Sequence, residues 1–378
     1  MMEDHQAAGR IESAAVSRRS VRRRWIVIAA CLAAALALPF LLWLVRGGNV
    51  DEQFKAIDAA HAVPNSKNAA LDYTRLVEEA ARVSLDPLRL PQPTRAPTLG
   101  GPWCNVDFPQ VATWIEERQV IVEALLQAGG KPACWFPLAE APAQTGKRFG
   151  LAYYGSLLLV RAANRDMGEG RMEDGLEKLL CVFEMAGHFR SQLNPSDHDT
   201  GKIVAAEGLK RLAKLVVNED IPPDWLARLE VALPPTEDTW DEESQQLDKI
   251  EKLYVRKLKR GVGTRLLYTL SRTKRSQMNR HIYLSHLAEA RAGRILLALR
   301  YHRDRTGAWP ADLAEVADRV AGQTLVEPLT GRSFIYRPDG DTFVLYSTGP
   351  DLIDEGGLSG DDYHFWPPSE HWPGRVKK

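Results

Sequence analysis

Motifs that name a reaction are missing from this chain of 378 residues. It has no G-x-S-x-G elbow, no P-loop, no G-x-G-x-x-G between a strand and a helix, and no H-E-x-x-H. The hydrolases, nucleotide binders and zinc peptidases built on those spacings are therefore excluded. Excess charge is missing too: Lys plus Arg and Asp plus Glu both number 49. A balanced chain lacks the basic footprint that phosphate backbones require, which argues against nucleic acid as a partner. Histidine is sparse and scattered. His188 and His198 flank Asn194 and Asp197, while His281, His286 and His302 fall in the last long helical stretch. His281 and His286 stand about 140° apart around a helix, so they do not share a ligand face. Surface or capping histidines are the expectation, and no catalytic pair is nominated. Cysteine is scarce, with four in all, and that count alone decides no disulfide framework.

What is present begins with an address. Trp25 to Val45 is an uninterrupted apolar run without a charge, about 31 Å long as a helix and enough to cross a bilayer. Arg18, Arg19, Arg22, Arg23 and Arg24 precede it, whereas only Arg46 follows closely before Asp51 and Glu52. The positive-inside rule places 1–24 in the cytoplasm as a basic tail and the chain beyond about 47 outside. Pro39 is tolerable in such a span, and Trp25 and Trp43 sit where interfacial aromatics belong. A cleaved signal peptide would have a shorter apolar region and a small-residue cleavage site, but this run ends Phe40-Leu41-Leu42-Trp43-Leu44-Val45-Arg46. Ile28-Ala29-Ala30-Cys31 looks like a lipoprotein box, yet too few apolar residues precede Cys31. The expectation is an uncleaved single-pass signal-anchor over 25–45 in the cytoplasmic (inner) membrane.

Three further cysteines follow the span. Cys181, within Leu179-Leu180-Cys181-Val182-Phe183, reads as a core residue. Cys104 and Cys134 each adjoin a tryptophan and would face an oxidising compartment. A bridge between them would close a loop of about 30 residues and stabilise the fold by about 3.5 kcal/mol. Two buried thiols are the alternative, and both readings stay open.

Helical spacing runs along most of 47–282. Ala69, Leu71, Tyr73, Leu76, Val77, Ala80 and Val83 give a helix over 66–83. Five prolines between Pro87 and Pro102 predict a long irregular connection over 85–108. A helix is expected from about Pro109 to Ala128, stopping at Gly129-Gly130, then others near 148–166, 172–192 and 200–217. Pro222-Pro223 and Pro234-Pro235 bracket a short helix from Asp224 to Leu233. The turn at Gly168-Glu169-Gly170 with the following Leu176, Leu179, Leu180 and Phe183 resembles a tetratricopeptide hairpin, but no second copy recurs at a fixed period. An ordinary helical bundle is the expectation. Between Lys252 and Arg280 lie ten basic residues and no acidic one. Two readings of 252–280 are open: a surface for anionic lipid, or a solvated helical face.

In 283–366 the pattern changes. Leu284, Leu287, Ala288, Ala292, Ile295, Leu296 and Leu299 share one helical face. Trp309-Pro310 leads to a short helix expected from Ala311 to Val320. Ser333 to Arg337 and Thr342 to Ser347 alternate as strands around Pro338-Asp339-Gly340-Asp341, and Asp362 to Trp366 is the third strand. Asp351, Asp354, Glu355, Asp361 and Asp362 lie in the loop between the last two strands. Calcium takes six to eight oxygens and such a loop supplies several, so Asp351, Asp354, Glu355 and Asp361 are its candidate ligands. A solvated loop is the alternative, because the spacing departs from an EF-hand. Residues 367–378 are a tail.

The order of helix, Trp309-Pro310 turn, hairpin and acidic Gly349-Pro350-Asp351-Leu352-Ile353-Asp354-Glu355-Gly356-Gly357 loop resembles the C-terminal head of type II secretion pseudopilins. There a helix feeds a small three-stranded sheet with an acidic, sometimes calcium-binding loop. Asn68-Ala69-Ala70-Leu71-Asp72-Tyr73 and Ala133-Cys134-Trp135-Phe136-Pro137-Leu138 together resemble large uncharacterised planctomycete-type proteins, in which one anchor helix carries a helical domain and a pseudopilin-like tail. The resemblance implies an architecture and no chemistry. Pilins place a glycine cleavage site before the apolar helix and a glutamate at its fifth position. This chain has neither, which speaks against a fibre subunit. The expected fold is mostly α, with an extracytoplasmic helical bundle and a small α+β module carrying a three-stranded antiparallel, pseudopilin-like sheet. The expected function is binding or assembly at the envelope, beside protein partners of a secretion-type machine; the alternative is an extracytoplasmic hydrolase without a recognisable motif.

Overall fold

Proline and glycine punctuate the helices. The computed structural model describes residues 50–86, 90, 92–257, 262–349, 352–354, 356 and 362–367. Along the chain run α1 (Val50–Ala60), α2 (Ala70–Val83), the short α3 (Gln92–Arg95) and α4 (Pro97–Gly100), α5 (Pro109–Glu116), α6 (Gln119–Gly129), α7 (Ala141–Gly168) and α8 (Met172–Arg190). They are followed by α9 (Pro195–Asn218), α10 (Pro223–Ala232), α11 (Trp240–Lys257) and α12 (Val262–Thr306). Pro109, Pro195 and Pro223 each open a helix, where no amide donor is needed and φ is already helical. Asn194 caps α9, its side-chain oxygen accepting the Ser196 and Asp197 amides at 3.0 and 3.1 Å. The fold is mostly helical with a small antiparallel sheet near the C-terminus.

Three expectations are corrected. The connection over 85–108 contains α3 and α4 rather than irregular chain throughout. The single helix expected from Pro109 to Ala128 breaks at Glu117-Arg118 into α5 and α6. No proline or glycine marks that break. Instead Arg118 turns inward and donates to the carbonyls of Val83, Ser84 and Trp114 at 2.7, 3.0 and 2.8 Å. Of the helix expected from Ala311 to Val320 only a 3₁₀ turn forms, Leu313–Val316, capped by Asp312.

Arg118 exemplifies a recurrent device. The last carbonyls of a helix have no partner inside it, and this fold supplies guanidinium groups to several of them. Arg300 of α12 donates to Val216 and Glu219 at the end of α9, and Arg303 donates to Val217. Arg294 reaches Leu233 after α10, and Arg291 joins Thr236 to Val326. A buried ion pair, Arg148–Asp197, ties α7 to α9 with hydrogen bonds of 2.9 and 2.6 Å. Burial raises the Asp197 carboxyl above its ordinary range even though the Arg148 hydrogen bonds oppose this.

The chain divides into two compact units, Met1–Ala56 and Ile57–Lys378. The expected tail 1–24 and span Trp25–Val45 lie outside the described residues. Among the described residues no helix is long and apolar enough to cross a membrane. In the second unit one apolar cluster gathers α2 and α5 to α9, including Tyr73, Ile115, Leu125, Leu158 and Phe189. The other joins Leu176, Leu212, Leu226, Ile295 and Leu299 to Phe334, Phe343, Leu345 and Trp366 of the tail. The sheet therefore shares a core with the helices, and the boundary expected at 282–283 falls inside α12.

The sheet has the order β1-β2-β3, with β1 Ile335–Asp339, β2 Thr342–Ser347 and β3 Tyr363–Trp366. Asp339 pairs with Thr342, leaving a two-residue loop that begins at Gly340 with φ of 57°. Glycine at the first loop position is what a II′ hairpin requires. Phe343 and Leu345 point inward on β2 and are fully buried. A register shift follows between Leu345 and Tyr346.

Candidate functional site

A close helix crossing places the charged groups. Gly201 of α9 lies against the last turn of α8: a Cβ there would stand 2.7 Å from the Ala186 carbonyl oxygen and 2.8 Å from the Arg190 Cα, and closer still to the Arg190 amide. Only glycine lets the two backbones approach in this way. Beyond the crossing, α11 and α12 add their faces, and two adjoining cavities open that share Arg190 and Glu243. Lys202, Thr239, Tyr283 and His286 line the first; Leu193, His198, Gln246 and Leu247 line the second, with a volume of about 260 Å³.

Glu243 is the hub. His198 Nε2 donates to its Oε2 at 3.1 Å and Thr239 Oγ1 donates to its Oε1 at 2.7 Å. Lys202 Nζ stands 3.9 Å from the same carboxylate and 3.6 Å from Asp199. Burial pushes the Glu243 carboxyl up, but the His198 and Thr239 hydrogen bonds and the His198 and Lys202 charges outweigh it and hold the group at about 2. Burial lowers the Lys202 ammonium, whose Nζ also lies 5.3 Å from the Tyr283 ring centroid. The Tyr283 hydroxyl accepts the Thr239 amide at 2.7 Å, and burial raises its pKa. His286 is paired with Glu289 at 3.1 Å. Burial lowers the Arg190 guanidinium, while Glu243, Tyr283 and Glu237 favour its charge. Yet among the described residues that guanidinium makes no hydrogen bond or ion pair. The arrangement can hold a negatively charged group against an arginine whose neighbouring carboxylate is already engaged.

The residues singled out in the sequence fall elsewhere. Asp354 accepts the Tyr346 hydroxyl and the Gly356 amide, both at 2.8 Å, and those two bonds lower its carboxyl. Asp351, Glu355 and Asp361 lie outside the described residues. Among the described residues no group of three or more His, Cys, Asp or Glu could hold a metal ion. Cys104 and Cys134 are separate free thiols. The Cys104 thiol donates to the Gly168 carbonyl at 3.0 Å, whereas Cys134 is buried and burial pushes its thiol up. Lys252 pairs with Asp248 at 2.6 Å and Lys257 reaches the Ala139 carbonyl at 3.4 Å; most of the remaining side chains of 252–280 lie outside those described.

Two histidines expected at surface or cap positions are buried. His188 Nε2 bonds the Lys131 carbonyl at 2.8 Å, so that nitrogen carries the proton and Nδ1 accepts the Tyr73 hydroxyl at 3.0 Å. Burial holds the ring's pKa down despite the carbonyl. His198 is only 5% exposed and lines the cleft. Arg190, Lys202, Glu243 and Tyr283 were not singled out by the sequence, because they come from four helices with no common spacing. The local capping pattern Thr239-Trp240-Asp241-Glu242 marks the start of α11 but picks out Glu242 rather than Glu243. No family model, no curated protein and no solved structure matches this chain.

Proposed function

We propose that this chain is a single-pass, membrane-anchored envelope protein whose extracytoplasmic domain works by binding. The apolar run Trp25–Val45, with five arginines before it, supports the anchor and its direction. The observation that carries the binding role is the Arg190 guanidinium, half-buried in a cleft and without a hydrogen-bond or ion-pair partner among the described residues. A pseudopilin-like tail beside a secretion-type machine, calcium on the acidic loop, and anionic lipid along 252–280 belong to the same reading as further proposals. They rest on the sequence.

The test uses the full chain in native membranes. It is expected to stay in the pellet after alkaline carbonate extraction, and externally added protease is expected to cut it beyond residue 47. Release by carbonate, or protection of the C-terminal part in intact spheroplasts, would overturn the anchor. Crosslinking and co-purification test the assembly role, and recovery of no specific partner would count against it.

A second reading has an observation of its own. A histidine oriented by a carboxylate, as His198 is by Glu243, is the arrangement of a general base. An extracytoplasmic hydrolase working through a His198-activated water would lose turnover in His198→Ala. Activity that survives this substitution would remove the reading.

A further inference from the structure

We propose that the Arg190 cleft binds the oxyanion group of a small molecule, a carboxylate or a phosphate ester, through the Arg190 guanidinium. The proposal rests on the binding reading above and names its ligand class.

Several buried arginines of this fold are engaged within it. Arg118 and Arg300 donate to carbonyls at helix ends, Arg291 donates to the Thr236 carbonyl between α10 and α11, and Arg148 holds Asp197. Arg190 also ends a helix, but its help is not needed there. The Gly187 carbonyl accepts the Ser191 amide at 3.0 Å, and the Phe189 carbonyl accepts the Gln192 amide at 3.1 Å. The His188 carbonyl accepts both the Ser191 hydroxyl and the Gln192 side-chain amide, at 2.8 and 2.7 Å. The neighbouring Glu243 favours the guanidinium's charge from a distance, but its two oxygens are bonded by His198 and Thr239 and it makes no ion pair with Arg190. A partly desolvated guanidinium then keeps its fork of donors for something outside the chain. That fork matches the oxygens of a carboxylate or phosphate.

The lining charges decide which side the anion takes. Glu237, Glu243 and Glu289 border the first cavity and outnumber its Lys202, so it is the less favourable side for an anion. The other side has Glu243 alone among acids, already countered by His198, and there the cavity is larger. Leu193 and Leu247 give it apolar walls and Gln246 an exposed amide. The ligand is therefore an organic anion with a body small enough for about 260 Å³.

The experiment is a thermal-shift titration of the full chain in detergent micelles, with inorganic phosphate, acetate and benzoate as probes and chloride at matched ionic strength as reference. At least one oxyanion is expected to raise the Tm above chloride with saturation. Phosphate alone would assign a phosphate ester, and acetate or benzoate alone a carboxylate. Arg190→Gln is expected to weaken the apparent affinity about tenfold or more, the size of a lost charge-assisted fork, and Arg190→Lys to weaken it less. Arg82→Gln, an exposed arginine of α2, is expected to bind as the parent does. If Arg190→Gln does not fold, Arg190→Lys decides: an affinity equal to the parent's overturns the proposal. It is overturned as well if no probe outperforms chloride, or if Arg190→Gln responds like the parent. These outcomes leave carbonate extraction and partner capture untouched, so the broader reading fails or stands separately.

Discussion

At Glu243 two hydrogen-bond donors, the nearby Lys202 charge and a burial cost meet on one carboxylate, and the balance is legible in its pKa. Its ordinary value of 4.5 falls to about 2 in the fold. Between those values the unfolded chain binds the proton and the folded chain does not, so stability rises with pH there. The contribution is fully present above about 4.5 and is lost as pH falls toward 2; a shift of this size is on the order of 3 kcal/mol. Glu243→Gln is therefore expected to flatten the acid limb of a urea-stability profile, and an unchanged slope below pH 4.5 would refute the account. His188 behaves in the same direction by a different route. Burial depresses it, so the unfolded chain takes up the proton first as pH falls through its ordinary 6.5, and stability is lost below that. Tyr73→Phe leaves the His188 Nδ1 acceptor buried and unpaired. A loss of about 1–3 kcal/mol in urea unfolding at neutral pH is expected. His188 and His198 are visible in the sequence, but their burial is not, because each meets its partner across another helix.

Helix ends were legible wherever the covalent chemistry of one residue imposes them. Proline opens α5, α9 and α10, and glycine closes α6 and α7, so those positions could be read within a few residues. The break between α5 and α6 could not be read. Its cause is Arg118 reaching carbonyls some 35 residues away in α2, and no local pattern encodes that reach. Gly201 belongs to the same class. In an isolated helix Gly→Ala would gain about 1 kcal/mol of propensity. At Gly201 the added Cβ meets backbone of α8 rather than a movable side chain. Overpacking of this kind costs about 1–3 kcal/mol. Gly201→Ala is therefore expected to lower the Tm and to loosen the Arg190 cleft, seen as faster hydrogen exchange at the end of α8; a stabilised variant would refute the tight crossing.

Over the unit Ile57–Lys378, the tail is not an independent module. Phe334, Phe343, Leu345 and Trp366 are packed with Leu176, Leu212 and Ile295 in one cluster. A chain ending at residue 330 removes those four aromatic and aliphatic groups and exposes the helix faces beneath them. It is expected to lose its cooperative thermal transition altogether, whereas a separable module would leave a sharp transition for the helices. The sequence by itself determined the helical class, most helix boundaries, the hairpin and the apolar run at Trp25–Val45, because periodicity, proline and glycine act through neighbours in the chain. Tertiary structure alone decided that the sheet shares the helical core, that Cys104 and Cys134 stay apart, and that Arg190, Lys202, His198 and Glu243 converge. Those outcomes depend on long-range packing: whether an arginine is answered by a carbonyl, a carboxylate or nothing is set by which helix end lies opposite it.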